Sequence, residues 1–105
     1  MTTTGSARSS SGLDARRRKL LFRSWHRGFR EMDLILGRFA DARIADLGEH
    51  ELDDYERLIG YPDPDLYLWV TGQAPVPAEC DGPVIASLRA FHGADATAVK
   101  PGGVA

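Results

Sequence analysis

Apolar residues recur along this chain at helical spacing, and their pattern predicts five helices. The second helix is the clearest, because Phe29, Met32, Ile35, Leu36 and Phe39 follow the i, i+3, i+4, i+7 spacing of a core-facing stripe. The predicted spans are residues 14–27, 29–43, 49–59, 64–71 and 83–93. No strand pattern and no internal repeat competes with them. The predicted fold class is therefore all-α, a small five-helix bundle.

Residues at the predicted helix ends support these spans. Asp14 is a predicted N-cap of the first helix, and Asp63 is a predicted N-cap of the fourth, with Pro64 at its first helical position. Gly72 and Gly93 follow the fourth and fifth helices. They are predicted to end those helices, because glycine adopts the left-handed conformation at little cost.

The first helix is predicted to have two different faces. Leu21, Phe22 and Trp25 are expected to face the core. A basic stripe on the other side consists of Arg16, Lys19, Arg23 and Arg27. In the second helix, Gly37 is predicted to allow close packing against a neighbouring helix.

The length of the chain, 105 residues, predicts one domain, which we assign to residues 13–93. Residues 1–12 are rich in Ser and Thr and are predicted to be a disordered tail, and residues 94–105 a mobile tail. The N-terminal segment lacks the apolar region of a secretory signal. No apolar run approaches the roughly 20 residues of a membrane span, so we expect no membrane insertion.

Charge is distributed unevenly, although the formal net charge is only −2. Residues 8–30 carry eight basic side chains and one acidic one, whereas residues 49–65 carry seven acidic side chains and one basic one. This asymmetry predicts either a partner with an acidic surface or two solvated helix faces.

Residue types that catalyse reactions or bind metals are scattered. His26, His50, His92 and the single Cys80 lie far apart and form none of the short spacings of a metal site. The acidic neighbours of Cys80 also oppose formation of a reactive thiolate. A glycine-rich nucleotide-binding loop is missing from the sequence. We therefore predict no metal site and no catalytic residue, and we expect that the protein is not an enzyme.

The basic run Arg16-Arg17-Arg18-Lys19 leaves an alternative function open. A cluster of this kind could bind phosphates, so the chain could be a small helical nucleic-acid-binding module. Most of the remaining charge is acidic, and the basic run lacks interleaved exposed aromatic residues. Nucleic-acid binding is therefore placed second.

The most informative stretch is His26–Met32, which we call the corner. Gly28 is predicted to end the first helix there, and its lack of a side chain would let another backbone approach closely. Arg27 supplies a planar guanidinium, and Glu31 supplies a carboxylate about one turn later. These residues support two interpretations equally: a dock for a polar partner surface, or an internal Arg27–Glu31 ion pair.

The corner resembles a known signature. Residues Arg27–Glu31 (RGFRE) are similar to the RGxxE motif of the small bacterial and mitochondrial FAD assembly factors of succinate dehydrogenase. The similarity continues through Tyr55–Ile59, Pro64–Trp69 and the segment 84–91, and it covers residues 16–92.

This resemblance implies a five-helix bundle without a catalytic centre. It would bind the flavoprotein subunit of succinate dehydrogenase, in some bacteria also that of fumarate reductase, and promote covalent attachment of FAD to a histidine of that subunit. Arg27, Gly28 and Glu31 would form the functional surface, with Arg30 as a neighbouring candidate. No residue is assigned to FAD itself. A monomer is expected, located in the bacterial cytoplasm, or in the mitochondrial matrix if the source is eukaryotic.

Overall fold

The computed structural model describes residues 12–99, with side chains to residue 94, and it confirms the all-α fold class. The five α-helices are α1 (Ala15–Trp25), α2 (Arg30–Arg43), α3 (Glu49–Leu58), α4 (Asp63–Val70) and α5 (Pro83–Val99). A short 3-10 helix, Ala78–Cys80, lies in the loop before α5. Over residues 12–99 no strand is present. The predicted tails lie outside the described residues, except for Gly12 and residues 94–99.

Local capping interactions fix most of the helix ends. The Asp14 carboxylate accepts a hydrogen bond from the Arg17 amide at 2.8 Å, as its predicted N-cap role requires. Gly72 follows α4 with φ +77°, and its amide and that of Gln73 donate to the carbonyls of Trp69 and Leu68. This pair of bonds is a Schellman motif, so the predicted stop at Gly72 is confirmed.

Two predicted helix ends are wrong. Helix α5 does not stop at Gly93 but continues to Val99, because a single glycine inside a helix costs only about 1 kcal/mol and alanines follow it. The N-cap of α4 is Pro62, which places Asp63 and Pro64 at the first two helical positions. The Asp63 carboxylate contacts Arg27 instead of capping its own helix.

The core lies between the five helices and contains the predicted apolar faces of α2, α3 and α4. Its largest fully buried side chains include Tyr55, Phe39 and Leu36. The prediction for α1 was wrong at one position, since Phe22 is 61% exposed while Leu21 and Trp25 are buried. Phe22 therefore belongs to the solvent-facing side of the helix.

A buried polar pair explains this misassignment. Ser24 lies at the centre of the buried face of α1, where a polar residue is unexpected. Its hydroxyl bonds the Leu20 carbonyl at 2.7 Å and the Tyr55 hydroxyl at 2.6 Å, so burial leaves neither side chain unsatisfied. Burial also raises the pKa of Tyr55 far above its ordinary value, which keeps the phenol neutral.

Close packing of α1 on α2 depends on a missing side chain. The indole of Trp25 lies directly over Gly37, where an added Cβ would come within 2.3 Å of a ring carbon. The Trp25 Nε1–H also donates to the Asp41 carboxylate at 3.2 Å. The predicted role of Gly37 in close helix packing is therefore confirmed.

Candidate functional site

The corner joins α1 to α2 by a turn that requires a glycine. Gly28 has φ +88°, a conformation that other residues adopt only at a cost. Nothing lies within 4 Å of the position that its Cβ would occupy, and the residue is exposed. Gly28 is therefore an open gap on the surface of the protein, although α1 already ends at Trp25, with His26 as its C-cap, and not at Gly28 as predicted.

Arg27 is arranged differently from the prediction. Its side chain is only 11% exposed, and it forms no ion pair with Glu31. Instead, its Nε and Nη2 bind the Asp63 carboxylate at 2.8 and 2.6 Å. Its Nη1 donates to the Ile59 carbonyl at 2.6 Å, and its Nη2 to the Tyr61 carbonyl at 3.3 Å.

This arrangement makes Arg27 a clamp inside the molecule. Ile59 is the C-cap of α3, and Asp63 is the first residue of α4. The guanidinium therefore satisfies carbonyls at the end of one helix and a carboxylate at the start of the next. The open donor fork expected from the sequence is occupied by the chain's own groups. A direct contact of Arg27 with a partner stays a prediction.

A second carboxylate fixes the backbone of the corner. The Asp33 side chain, in the first turn of α2, accepts a hydrogen bond from the Arg27 amide at 2.6 Å. The Phe29 ring, at the N-cap of α2, lies against Tyr67 of α4 with ring centroids 5.9 Å apart. The turn is thus held on both sides of Gly28, which keeps the gap in a defined geometry.

The other two predicted site residues remain on the surface. Arg30 and Glu31, in the first turn of α2, are both exposed. Within residues 12–94, neither side chain forms an ion pair or a hydrogen bond. The surface around Gly28 therefore offers one cationic and one anionic group whose side chains have no hydrogen-bonding partner among residues 12–94.

The two oppositely charged segments face one another. Arg16 of α1 binds three acids of α3, namely Glu49, Asp53 and Glu56, at 3.4, 2.7 and 2.9 Å. Hydrogen bonding from Arg16 lowers the pKa of Asp53, and the same bonds raise the pKa of Arg16. The sequence left open an acidic partner or two solvated helix faces, and the structure instead pairs part of the basic segment with the acidic side of α3.

Other arginines of α1 are also used internally. Arg17 binds Asp14 at 2.6 Å and donates to the carbonyls of Ile44 and Leu47. Arg23 lies 3.9 Å from Glu56. These contacts remove much of the positive surface that a nucleic acid would need.

Side chains that could bind a metal ion are dispersed over the described residues. No group of three His, Cys, Asp or Glu side chains that could hold a metal ion is present among them. The first turns of α2, α3 and α4 each contain two acids, which disfavours an anionic group there, whereas those of α1 and α5 contain none. Cys80 is buried. None of the helices between residues 12 and 99 is long and apolar enough to cross a bilayer.

Comparison with known proteins supports the family resemblance inferred from the sequence. A family model described as "Flavinator of succinate dehydrogenase" matches residues 18–92. The protein "FAD assembly factor SdhE" of Acetobacter pasteurianus is 37% identical over 84 residues, which are 80% of this chain and 77% of that protein.

Mitochondrial proteins are similar as well. "Succinate dehydrogenase assembly factor 2, mitochondrial" of Dictyostelium discoideum is 43% identical over 75 residues, 71% of this chain and 53% of that protein. The protein of the same name in Danio rerio is 36% identical over 86 residues, 80% of this chain and 54% of that protein. The chain thus spans about half the length of these mitochondrial relatives. Since the family model covers most of the chain, the protein belongs to the family of flavinators of succinate dehydrogenase.

Proposed function

We propose that this protein is an assembly factor that binds the flavoprotein subunit of succinate dehydrogenase and promotes covalent attachment of FAD to that subunit. The family match over residues 18–92 and the names of the bacterial and mitochondrial relatives support this proposal. The protein acts on its client as a chaperone, without a catalytic residue of its own.

The observation that carries the proposal is the open gap at Gly28. This residue is exposed, its Cβ position is empty, and the turn around it is held by Asp33 and Arg27. Arg30 and Glu31 flank the gap with side chains that remain available to a partner. We propose that the client backbone approaches at Gly28 and that its polar groups pair with Arg30 and Glu31. Arg27 stabilises this surface through its internal bonds to Asp63 and the Ile59 carbonyl.

The assembly factor orients the reacting groups of its client and takes no chemical part in the reaction. Bond formation between FAD and a histidine belongs to the flavin and the client, and holding reacting groups in place can supply several kcal/mol of barrier reduction. A factor that binds the reactive conformation of the client more tightly than other conformations also increases its population. FAD is thus bound by the client, and stable binding of free FAD by this chain is not required.

The proposal also includes an oligomeric state, a compartment and a second client. We propose that the protein acts as a monomer in the bacterial cytoplasm, or in the mitochondrial matrix if its source is eukaryotic. We propose the flavoprotein of fumarate reductase as a second client, as the resemblance of the corner to the family implies. The similarity to a bacterial FAD assembly factor over 77% of that protein's length supports the bacterial setting.

Replacement of Gly28 tests the proposal. Gly28→Arg should abolish covalent flavinylation in cells that lack the native factor, because the new side chain fills the gap. The left-handed φ costs a non-glycine residue about 1–2 kcal/mol, less than the usual stability of a domain. The variant should therefore still fold. Covalent flavin is measured by in-gel fluorescence of the client, and folding by circular dichroism.

Gly28→Ala is the matched control for Gly28→Arg. It imposes the same backbone cost with far less bulk, so it should retain most of the flavinylation. A folded Gly28→Arg protein that flavinylates the client fully would contradict the proposal. Glu31→Ala gives a further check, since it should lower flavinylation while leaving the thermal midpoint unchanged.

A further inference from the structure

The solvent-facing side of α1 carries an aromatic side chain that the corner motif does not include. Phe22 is 61% exposed, more than the other exposed large apolar residue of the described chain, Leu68 at 38%. Arg18, Lys19 and His26 are also exposed and share this side of the helix with Phe22, because residues three, four and seven apart lie on one face. We call these four residues the α1 stripe.

The exposed aromatic group is held in one orientation. The imidazole of His26 stacks on the Phe22 ring, with centroids 3.9 Å apart and an interplanar angle of 17°. The His26 Nδ1 also lies 2.7 Å from the Phe22 carbonyl oxygen. A side chain that is already ordered loses little freedom on binding, which favours its use as an anchor in an interface.

The charges of the α1 stripe lack acidic partners among the side chains of residues 12–94. Arg18 donates to the Leu13 carbonyl, and Lys19 forms no ion pair or hydrogen bond within residues 12–94. Arg16, Arg17 and Arg23, by contrast, have carboxylates within 4 Å. The positive charge left over on α1 is therefore concentrated beside Phe22.

The α1 stripe leads directly into the corner. His26 is the C-cap of α1, and Gly28 follows two residues later. We propose that the α1 stripe is a second contact surface for the same client, with Phe22 as an apolar anchor and with Arg18 and Lys19 paired to acidic residues of the flavoprotein. This inference rests on the proposed function. It adds the chemistry of the client surface: an apolar recess bordered by carboxylates.

A protein fits this surface better than a nucleic acid does. The His26 imidazole already stacks on one face of the Phe22 ring. A nucleic-acid base therefore cannot stack on that face. Only two cations of the stripe are without acidic partners, whereas nucleic-acid affinity depends on many phosphate contacts. An anchor flanked by two charges is typical of a protein interface.

Binding measurements on the purified chain test the inference. The ligand is the flavoprotein subunit loaded with FAD, with its attachment histidine replaced by alanine so that the complex does not react further. Phe22→Ala should weaken binding by about tenfold or more, the effect of losing an interface anchor. The double variant Arg18→Glu/Lys19→Glu should slow association and reduce its dependence on salt.

Two variants provide matched controls. Leu68→Ala removes an exposed apolar side chain from α4, and Arg57→Glu reverses an exposed charge on α3 that pairs only with the neighbouring surface residue Asp54 among the described residues. Both should bind the client within about twofold of the unmodified protein, as expected outside an interface hot spot. All of these positions are exposed, so thermal midpoints should confirm that the variants remain folded.

The outcomes distinguish the inference from the proposed function. If the unmodified protein does not bind the flavoprotein, the proposed function fails and the inference fails with it. If it binds and the stripe variants bind equally well, only the inference is overturned. A fluorescent single-stranded oligonucleotide is titrated in parallel. Phe22-dependent binding of this oligonucleotide, with client affinity unchanged, would assign the stripe to nucleic acid and overturn the inference.

Discussion

At the scale of single residues, Arg27 shows how a motif residue can support a surface without being exposed on it. Its guanidinium donates to Asp63 and to the Ile59 and Tyr61 carbonyls, and its amide donates to Asp33. Gly28 follows directly and needs a backbone conformation that this network holds. The arginine and the glycine of the motif therefore have different roles, one internal and one at the surface.

Removal of the Arg27 side chain should destabilise the protein strongly. Arg27→Ala leaves the partly buried Asp63 carboxylate and the Ile59 carbonyl without their donor, and losses of this kind amount to about 2–4 kcal/mol. Arg27→Lys should recover only part of the loss, because an ammonium cannot reproduce the planar fork. The measurement is the free energy of unfolding from urea titration.

An exposed arginine provides the comparison. Arg16→Ala also removes several ion pairs, but these lie at the surface and are screened by water, so the loss should be clearly smaller. Equal losses for Arg27→Ala and Arg16→Ala would show that the internal clamp is not important for stability.

The sequence indicated candidate site residues but not the clamp that Arg27 forms. The position of Gly28 between two helices was predictable, because one helical pattern ends before it and the next begins after it. The Arg27–Asp63 pair joins residues 36 positions apart, and no local pattern in the sequence indicates such a tertiary contact. Glu31 lies one turn from Arg27 and was the nearer candidate, yet the guanidinium turns towards α3 and α4.

At the scale of helices, the contact between α1 and α2 has the tightest geometry. The Trp25 indole covers Gly37, and three of its carbons lie within 2.6 Å of the position of an added Cβ. A rigid aromatic ring on one helix and the backbone of the other cannot both stay in place if a methyl group is inserted. This contact sets the direction in which α1 reaches the corner.

Gly37→Ala should therefore destabilise the protein, although alanine is the better helix former. Overpacking of this kind costs typically about 1–3 kcal/mol, which outweighs the gain of about 1 kcal/mol in helix propensity. The measurement is the midpoint of thermal or urea unfolding. Loss of Trp25 fluorescence anisotropy would report the displaced indole, once Trp69 has been replaced by Phe in the background protein.

Gly93 gives a control of the opposite sign. It lies inside α5, and nothing is found within 4 Å of its Cβ position. Gly93→Ala should therefore stabilise the protein by about 0.5–1 kcal/mol. If both alanine variants stabilise the protein, the close contact at Gly37 is not present in solution.

Helix positions were predictable to within one or two residues at most ends, because caps and apolar spacing are local signals. The misassigned residues depended on contacts made elsewhere in the fold. Ser24 is buried because Tyr55, 31 residues away, supplies a partner for its hydroxyl. With a polar residue at the centre of the buried face, the apolar pattern of α1 pointed wrongly to Phe22.

At the scale of the whole molecule, the uneven charge of the sequence is resolved mainly by folding. The basic side of α1 lies against the acidic side of α3, with Arg16 between Asp53 and Glu56. The surface that we propose for the client is the smaller remainder, the α1 stripe and the corner. Part of the positive charge of the basic segment is thus paired inside the protein, and part of it remains on the surface.

The ion pairs between α1 and α3 predict how the stability of the protein responds to acid. Hydrogen bonding from Arg16 lowers the pKa of Asp53 below its ordinary value of 3.8. The contribution of this carboxylate to stability is therefore fully present above the ordinary value and is lost as the pH falls through the lowered value. The Arg16→Gln variant should be less stable than the unmodified protein at pH 6, and the difference should shrink below about pH 4.

The measurement is the urea midpoint of both proteins between pH 2.5 and pH 6. Lys19→Gln removes the same charge from α1 but breaks no ion pair, so its midpoint should stay close to that of the unmodified protein at pH 6. A difference between Arg16→Gln and the unmodified protein that stays constant down to pH 2.5 would mean that Asp53 does not hold Arg16 in solution. The basic side of α1 would then be open to solvent or to a partner, the two alternatives that the uneven charge of the sequence left open.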